Sequence, residues 1–186
     1  MNRRYFLMKK VVGVSDLKVS NNVNDSIITH ALGSCLGITA YDSRAKVGGM
    51  VHVMLPLSKS DLQKAQQRPA MYVDTGFALL LKEIFALGAQ KNNLEINVAG
   101  GASMKQNAGE DYFKIGQRNF TTFRKLLWKN GFMIANQEVG GSISRTMVLD
   151  MHSGLVTINR VPINSPQKNM RTGVTAEYSF AAARVG

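Results

Sequence analysis

The chain has 186 residues, 45% of them hydrophobic, which suits one domain with a sizeable core and excludes a disordered composition. A single cysteine excludes an internal disulfide and a cysteine-rich zinc site and fits a reducing compartment, and three scattered histidines, His30, His52 and His152, form no spaced metal motif. Lys and Arg outnumber Asp and Glu by 23 to 12, a net charge of +11 that favours an acidic partner. Nucleic acid is the first class such a charge suggests. Yet no basic run, RNP-like aromatic motif or zinc finger accompanies it, and a Glu-rich protein surface satisfies the same charge. No apolar run is long enough to span a bilayer and no signal-peptide h-region stands at the N-terminus, so a soluble cytoplasmic protein is expected.

In chain order, residues 1–10 read as a basic tail, 11–160 as the ordered domain and 161–186 as a basic, flexible C-terminal extension. A short strand is predicted at 11–14 and a turn cluster at 21–25. Strands follow at 26–31, 36–41 and 46–55, the last with a bulge at Gly48-Gly49. The second and third flank the turn at 42–44 and can pair as a hairpin. Residues 56–69 are polar and basic and read as a surface loop with one helical turn. Asp74 is placed as the cap of a helix whose apolar positions, Phe77, Leu80, Leu81, Ile84 and Phe85, follow helical spacing, and Gly88 ends it. A strand at 94–98 runs into Gly100-Gly101-Ala102. No Gly-Lys-Ser/Thr follows, so this is read as a tight strand exit rather than a phosphate loop. Residues 104–113 read as a loop. A second helix at 116–128 carries Phe120, Phe123, Leu126 and Leu127 on one side and closes at Gly131. A strand at 132–139 and a hairpin of 145–150 with 155–159 around His152 complete the pattern. Strands outnumber helices, which gives an α/β (α+β) layered sandwich, a mixed β-sheet with two main helices.

The candidate chemistry lies between Thr29 and His52. This stretch holds the only cysteine, Cys35, among Gly33, Ser34 and Gly37. In the predicted hairpin, the start of one strand faces the end of the other, so Cys35 and His52 can meet. A thiolate is a nucleophile, and a neighbouring imidazole lowers the thiol pKa and carries its proton. Thr29 can orient the ring, and the backbone N–H groups at Gly33 and Ser34 can stabilise an oxyanion. His30 points to the opposite face of an extended chain and is the weaker candidate. The bland alternative is that Cys35 is a small buried hydrophobe.

Further motifs give these residues a context. Leu32-Gly33-Ser34-Cys35, Gly48-Gly49-Met50-Val51-His52 and Met54-Leu55-Pro56 resemble the CheD family of bacterial chemoreceptor glutamine deamidases. So do the helix at 72–88, Gly100-Gly101-Ala102-Ser103-Met104, Ile115-Gly116-Gln117-Arg118-Asn119, Gly140-Gly141 and the hairpin at 145–159. The likeness covers about residues 11 to 160 in consistent order. One departure is Ser144-Arg145, where the family often has Gly-Arg. The resemblance implies a Cys-His-Thr active site in a layered α/β fold whose catalytic part is shared with glutamine-deamidating bacterial toxins. Its nucleophile falls on Cys35, its base on His52 and its orienting threonine on Thr29. It implies conversion of receptor glutamine to glutamate through a thioester, with no metal or organic cofactor, and the same site would suit a glutamyl methyl ester. The implied partners are the cytoplasmic helical bundle of a methyl-accepting chemoreceptor and the CheC phosphatase. A non-catalytic receptor- or CheC-binding module is the alternative, and nucleic-acid binding from charge alone ranks last.

Overall fold

The computed structural model describes residues 8–103, 114–162 and 177–180. Among these residues ten strands form two five-stranded sheets. The first sheet contains β1 (Met8–Val12), β3 (Asp25–Leu32), β8 (Ile143–Asp150), β9 (Val156–Pro162) and β10 (Glu177–Phe180), in that spatial order. The second contains β2 (Leu17–Ser20), β5 (Val47–Val53), β4 (Leu36–Asp42), β6 (Leu94–Gly100) and β7 (Asn136–Val139). Both sheets are mixed: β1 runs parallel to β3, β7 runs parallel to β6, and the other pairs are antiparallel. This is the layered α+β arrangement expected from strands outnumbering helices, with two mixed sheets where one was expected.

The second sheet is the middle layer. Leu36, Ile38, Val51 and Val53 face the helices α2 (Val73–Ala86) and α3 (Ile115–Lys129), where they meet Phe77, Leu80, Phe123 and Leu127. Phe77 sits edge-on to Phe123, with ring centroids 5.2 Å apart, an arrangement suited to the quadrupoles of the two rings. On its other face, Tyr41, Met50 and Ala99 pack against Ile27, Met147, Leu149 and Ile158 of the first sheet. Every residue of β4 and β5 is therefore buried, as strands covered on both faces must be. The first sheet buries one face only, and β8 shows it as an alternation of buried Arg145, Met147 and Leu149 with half-buried neighbours.

β4 and β5 form the expected hairpin, with Gly37 opposite His52 and Leu36 opposite Val53. The Asp42 carboxylate fixes the turn by accepting the N–H groups of Arg44 and Ala45 at 2.9 and 3.0 Å. The predicted bulge at Gly48-Gly49 is absent, since the register runs unbroken from Asp42↔Val47 to Leu36↔Val53. These glycines answer to close packing instead. A Cβ on Gly48 would lie 2.7 Å from the Tyr41 ring, and one on Gly49 would lie 2.7 Å from Val19 and 2.8 Å from Leu80. The irregularity falls in β3, between Thr29 and Leu32, where Ala31 has φ +56° and His30 faces solvent.

Other expectations shift in position. The helix α2 starts at Val73, one residue before Asp74, whose carboxylate accepts from the Ser58 N–H at 3.0 Å and the Ser58 hydroxyl at 2.8 Å. Phe85 leaves the apolar stripe and is 38% exposed. The stretch 56–69 contains the short helix α1 (Leu62–Gln67), capped by Asp61, which accepts the Lys64 N–H at 3.0 Å. β2 has no counterpart in the sequence reading. β1 begins at Met8, within the stretch read as tail, and β10 pairs with β9 from within the stretch read as C-terminal extension. Met104 and the loop expected at 104–113 lie outside the described residues. Among those residues no helix is long and apolar enough to cross a membrane.

Candidate active site

Thr29, Cys35 and His52 come from three different places in the fold. Thr29 is on β3 of the first sheet, His52 is near the end of β5 of the second, and Cys35 precedes β4 in the short connection from β3. The side chains of Met50 and Cys35 pack into the core between the sheets, on the face that also takes His52 and Gly37. Gly37 pairs with His52, so Cys35, two residues before Gly37, stands at the same end of the hairpin as the imidazole.

The histidine is held on every side but one. Its main chain is pinned twice by the connection between β1 and β2, through Ser15 N–H to the His52 carbonyl at 2.9 Å and His52 N–H to the Asp16 carbonyl at 3.0 Å. Its Nδ1 lies 2.8 Å from the Thr29 hydroxyl oxygen. That hydroxyl also lies 2.8 Å from the Val12 carbonyl, which can only accept. The single hydroxyl proton therefore goes to Val12, and Thr29 must accept from Nδ1–H. The neutral ring then carries its lone pair on Nε2, a buried atom with no hydrogen-bond partner among the described residues.

Burial sets the electrostatics of the pair. It pushes the His52 pKa down to about 4. It also pushes the Cys35 thiol up from its ordinary value, against the weaker opposing effect of its own N–H. Both shifts favour a neutral thiol beside a neutral imidazole, not the thiolate that the sequence reading attached to the neighbouring ring. The arrangement suits a general base that takes the thiol proton as the sulfur attacks.

The connection carrying Cys35 is clamped by main-chain contacts from the residues after β6 and by a side chain of α3. Gly101 N–H donates to the Cys35 carbonyl and Ala102 N–H to the Gly33 carbonyl, each at 2.8 Å. Gly100, at φ +115°, lets the chains come this close, for a Cβ there would lie 2.1 Å from the Cys35 oxygen. Gly116 in the first turn of α3 leaves room for Gly101 and Ala102, whose carbonyl oxygens a Cβ would meet at 2.5 and 2.6 Å. Three residues on, the fully buried Asn119 donates through Nδ2 to the Ser34 carbonyl at 3.1 Å and to the Met54 carbonyl at 3.0 Å. The two acceptors identify the nitrogen end of the amide and leave Oδ1 buried with no partner among the described residues. Asn119 thus ties the cysteine connection to the chain just after His52. With the carbonyls turned into these clamps, the N–H groups of Ser34 and Cys35 meet no backbone acceptor among the described residues.

Comparison with known proteins gives this geometry a family. A family model described as CheD chemotactic sensory transduction matches residues 54–160, beginning just after His52. The chain is 44% identical over 148 residues to a probable chemoreceptor glutamine deamidase CheD 1 of Syntrophus aciditrophicus, covering 80% of this chain and 91% of that protein. It is 43% identical over 150 residues to a probable chemoreceptor glutamine deamidase CheD of Pyrococcus abyssi, covering 81% and 90%. It is 39% identical over 160 residues to one of Solibacter usitatus, covering 86% and 92%. The chain belongs to the CheD family.

Within this CheD chain, the residue types offer Cys35, His52 and Thr29 as candidates and the resemblance points to the same three, and the fold brings Thr29 onto the ring of His52 and Cys35 onto the same face. Sequence reading missed the function of Asn119 and of the Gly100-Gly101-Ala102 exit, both of which hold the cysteine connection. Their motifs were visible, but their partners are main-chain carbonyls that no residue type reveals. His30 and His152 are exposed and lie apart from the buried ring. Ser144-Arg145 leads into a buried pairing. Arg145, 2% exposed, reaches Glu138 at 3.2 Å and the Gly140 carbonyl at 2.9 Å, and Arg160 also pairs with Glu138. These contacts tie β7 of one sheet to β8 and β9 of the other.

Proposed function

We propose that this protein is a cytoplasmic protein-glutamine deamidase acting on the helical cytoplasmic domains of chemoreceptors, with Cys35 as nucleophile, His52 as proton carrier and Thr29 as the group that orients it. The observation that carries the reading is the Thr29–His52 contact at 2.8 Å, which leaves Nε2 as a buried, unpartnered base on the face shared with Cys35. Family membership and the names of the relatives support the amide substrate.

The reaction runs in two halves. Cys35 Sγ attacks the carboxamide carbon of a glutamine side chain while Nε2 takes the thiol proton, which avoids building a free thiolate in a dry site. The carbonyl oxygen gathers negative charge and is met by the N–H groups at Ser34 and Cys35, in the connection that begins at Gly33. The imidazolium then gives its proton to the amide nitrogen, the C–N bond breaks, ammonia leaves, and a thioester remains. In the second half a water gives a proton to Nε2 and attacks the thioester. The C–S bond breaks, the proton returns to sulfur, and the product is glutamate.

Intact-mass spectrometry of a receptor cytoplasmic fragment incubated with the protein tests the reading. Each converted amide adds about one mass unit, as the exchange of NH2 for OH requires, and Cys35→Ala is expected to add none. A fragment that both forms bind and neither converts would refute the enzyme.

A further inference from the structure

We infer that the open groove between α3 and β7 is a second contact for the substrate, a docking site for an acidic amphipathic helix of the receptor away from the reacting glutamine. The inference rests on the receptor-deamidase reading and extends it to how the substrate is held. The groove has a volume of about 720 Å³, with Leu127, Phe132 and Ile134 in its lining and Trp128 and Met133 alongside them. Trp128 is 86% exposed and Met133 is 84% exposed, the barest large apolar side chains among the described residues. A tryptophan and a methionine left in solvent beside an apolar cleft are the side chains most often used as anchors at interfaces, one rigid and one adaptable.

Charge says what kind of partner fits. Arg124 and Lys125 line the groove. The helix they sit on also carries Arg118 and Lys129 and has no Asp or Glu along its length. None of the four makes an ion pair among the described residues. An apolar floor under a cationic rim complements a helix whose apolar stripe is flanked by Glu or Asp. Trp128 also offers a base a stacking surface, so competition by single-stranded DNA is the outcome that would favour nucleic acid instead.

Position links the groove to catalysis. At its N-terminal end α3 presents Asn119 to the Cys35 connection, and Trp128 stands nine residues further along the same helix, about 13 Å by the helical rise. Those nine residues make about two and a half turns, which puts exposed Trp128 on the opposite side of α3 from buried Asn119, so the groove receives a second helix of the receptor bundle while another offers its glutamine to Cys35.

Steady-state ammonia release from a receptor cytoplasmic fragment, with full-length Trp128→Ala and Lys125→Glu, tests the assignment. Each variant is expected to raise KM about tenfold, the size of effect of losing one interface anchor, with the change in KM rather than kcat. Thermal melting should stay near that of the wild type, because both positions are exposed. Unchanged KM in both variants overturns the proposal, as does competition by random single-stranded DNA that Trp128→Ala abolishes while KM stays put. Binding of the same fragment to Cys35→Ala, with and without Trp128→Ala, reads the groove independently of turnover. Tenfold weaker binding there supports the groove even if the wild type proves unable to deamidate, an outcome that would sink only the enzymatic reading.

Discussion

Thr29 accepts a hydrogen bond from His52 at 2.8 Å because its own proton is committed to the Val12 carbonyl, also at 2.8 Å. A strand of the first sheet thereby sets the tautomer of a histidine in the second. The contact is buried, so its loss is felt twice. Thr29→Val leaves both the Val12 carbonyl and Nδ1 without a partner, at a cost of about 1–3 kcal/mol. It also frees the ring to place its proton on Nε2, where it cannot act as base. We expect kcat for receptor deamidation to fall about 10²-fold, part of the factor a positioned acid–base group supplies. Thr29→Ser keeps the hydroxyl and should stay within a few-fold of the wild type. Equal losses in the two variants, measured by ammonia release, would mean that the hydroxyl does not orient the ring.

Burial of His52 makes a prediction about stability and pH. The folded pKa is pushed down to about 4 from the ordinary 6.5, so the unfolded chain binds a proton that the folded chain refuses between those values. The contribution is therefore complete above about pH 6.5 and is lost progressively as the pH falls towards 4. Over the interval from pH 7.5 to 5 this one group should cost about 2 kcal/mol of stability. Urea unfolding at several pH values checks it, and the loss should shrink in His52→Gln. An identical pH slope in that variant would assign the effect to other groups.

The thiol gives an independent reading of the same dry site. Since burial raises the Cys35 pKa and lowers that of His52, the resting pair is neutral. Alkylation by iodoacetamide, which needs the thiolate, should be slow at pH 7 and rise about tenfold per pH unit towards pH 9. A rate already flat from pH 6 upward would reveal a standing thiolate–imidazolium pair and replace the concerted proton transfer proposed above.

Parts of this were legible in the sequence for identifiable reasons. The hairpin of β4 and β5 announces itself through two β-branched runs around Asp42, and the turn chemistry and pairing follow locally. The proposed catalytic residue types stand out because thiol, imidazole and hydroxyl lie within one short stretch. The Gly48-Gly49 pair misleads because glycine marks both a bulge and a close approach. Only the positions of Tyr41, Val19 and Leu80 decide between them. β2 was invisible because Leu17–Ser20 is a four-residue strand at the edge of its sheet, too short for its alternation to stand above the background. Trp128 stands off the apolar side drawn through Phe120, Phe123, Leu126 and Leu127, in keeping with its exposure, but nothing in the sequence places it beside a groove.

Asn119 is the hardest to read from sequence and gives the last prediction. It donates to carbonyls 85 and 65 residues away in the chain, at Ser34 and Met54. One lies beside Cys35, the proposed nucleophile, and the other lies just past His52, the proposed base. Asn119→Ala removes both donors and releases the Cys35 connection on the α3 side, while the clamps from Gly101 and Ala102 remain. The two half-buried carbonyls left unpaired should lower stability by about 1 kcal/mol. A displacement of the sulfur by about 1 Å can cost about 10²-fold in rate, so kcat should fall by 10- to 100-fold at temperatures well below melting. A purely structural role would lower the melting temperature and leave kcat of the folded fraction intact. Asn119→Asp, nearly the same shape, should do worse than alanine because it sets a carboxylate against two carbonyl oxygens. If it instead retains full kcat, the amide does not hold the nucleophile and base in register.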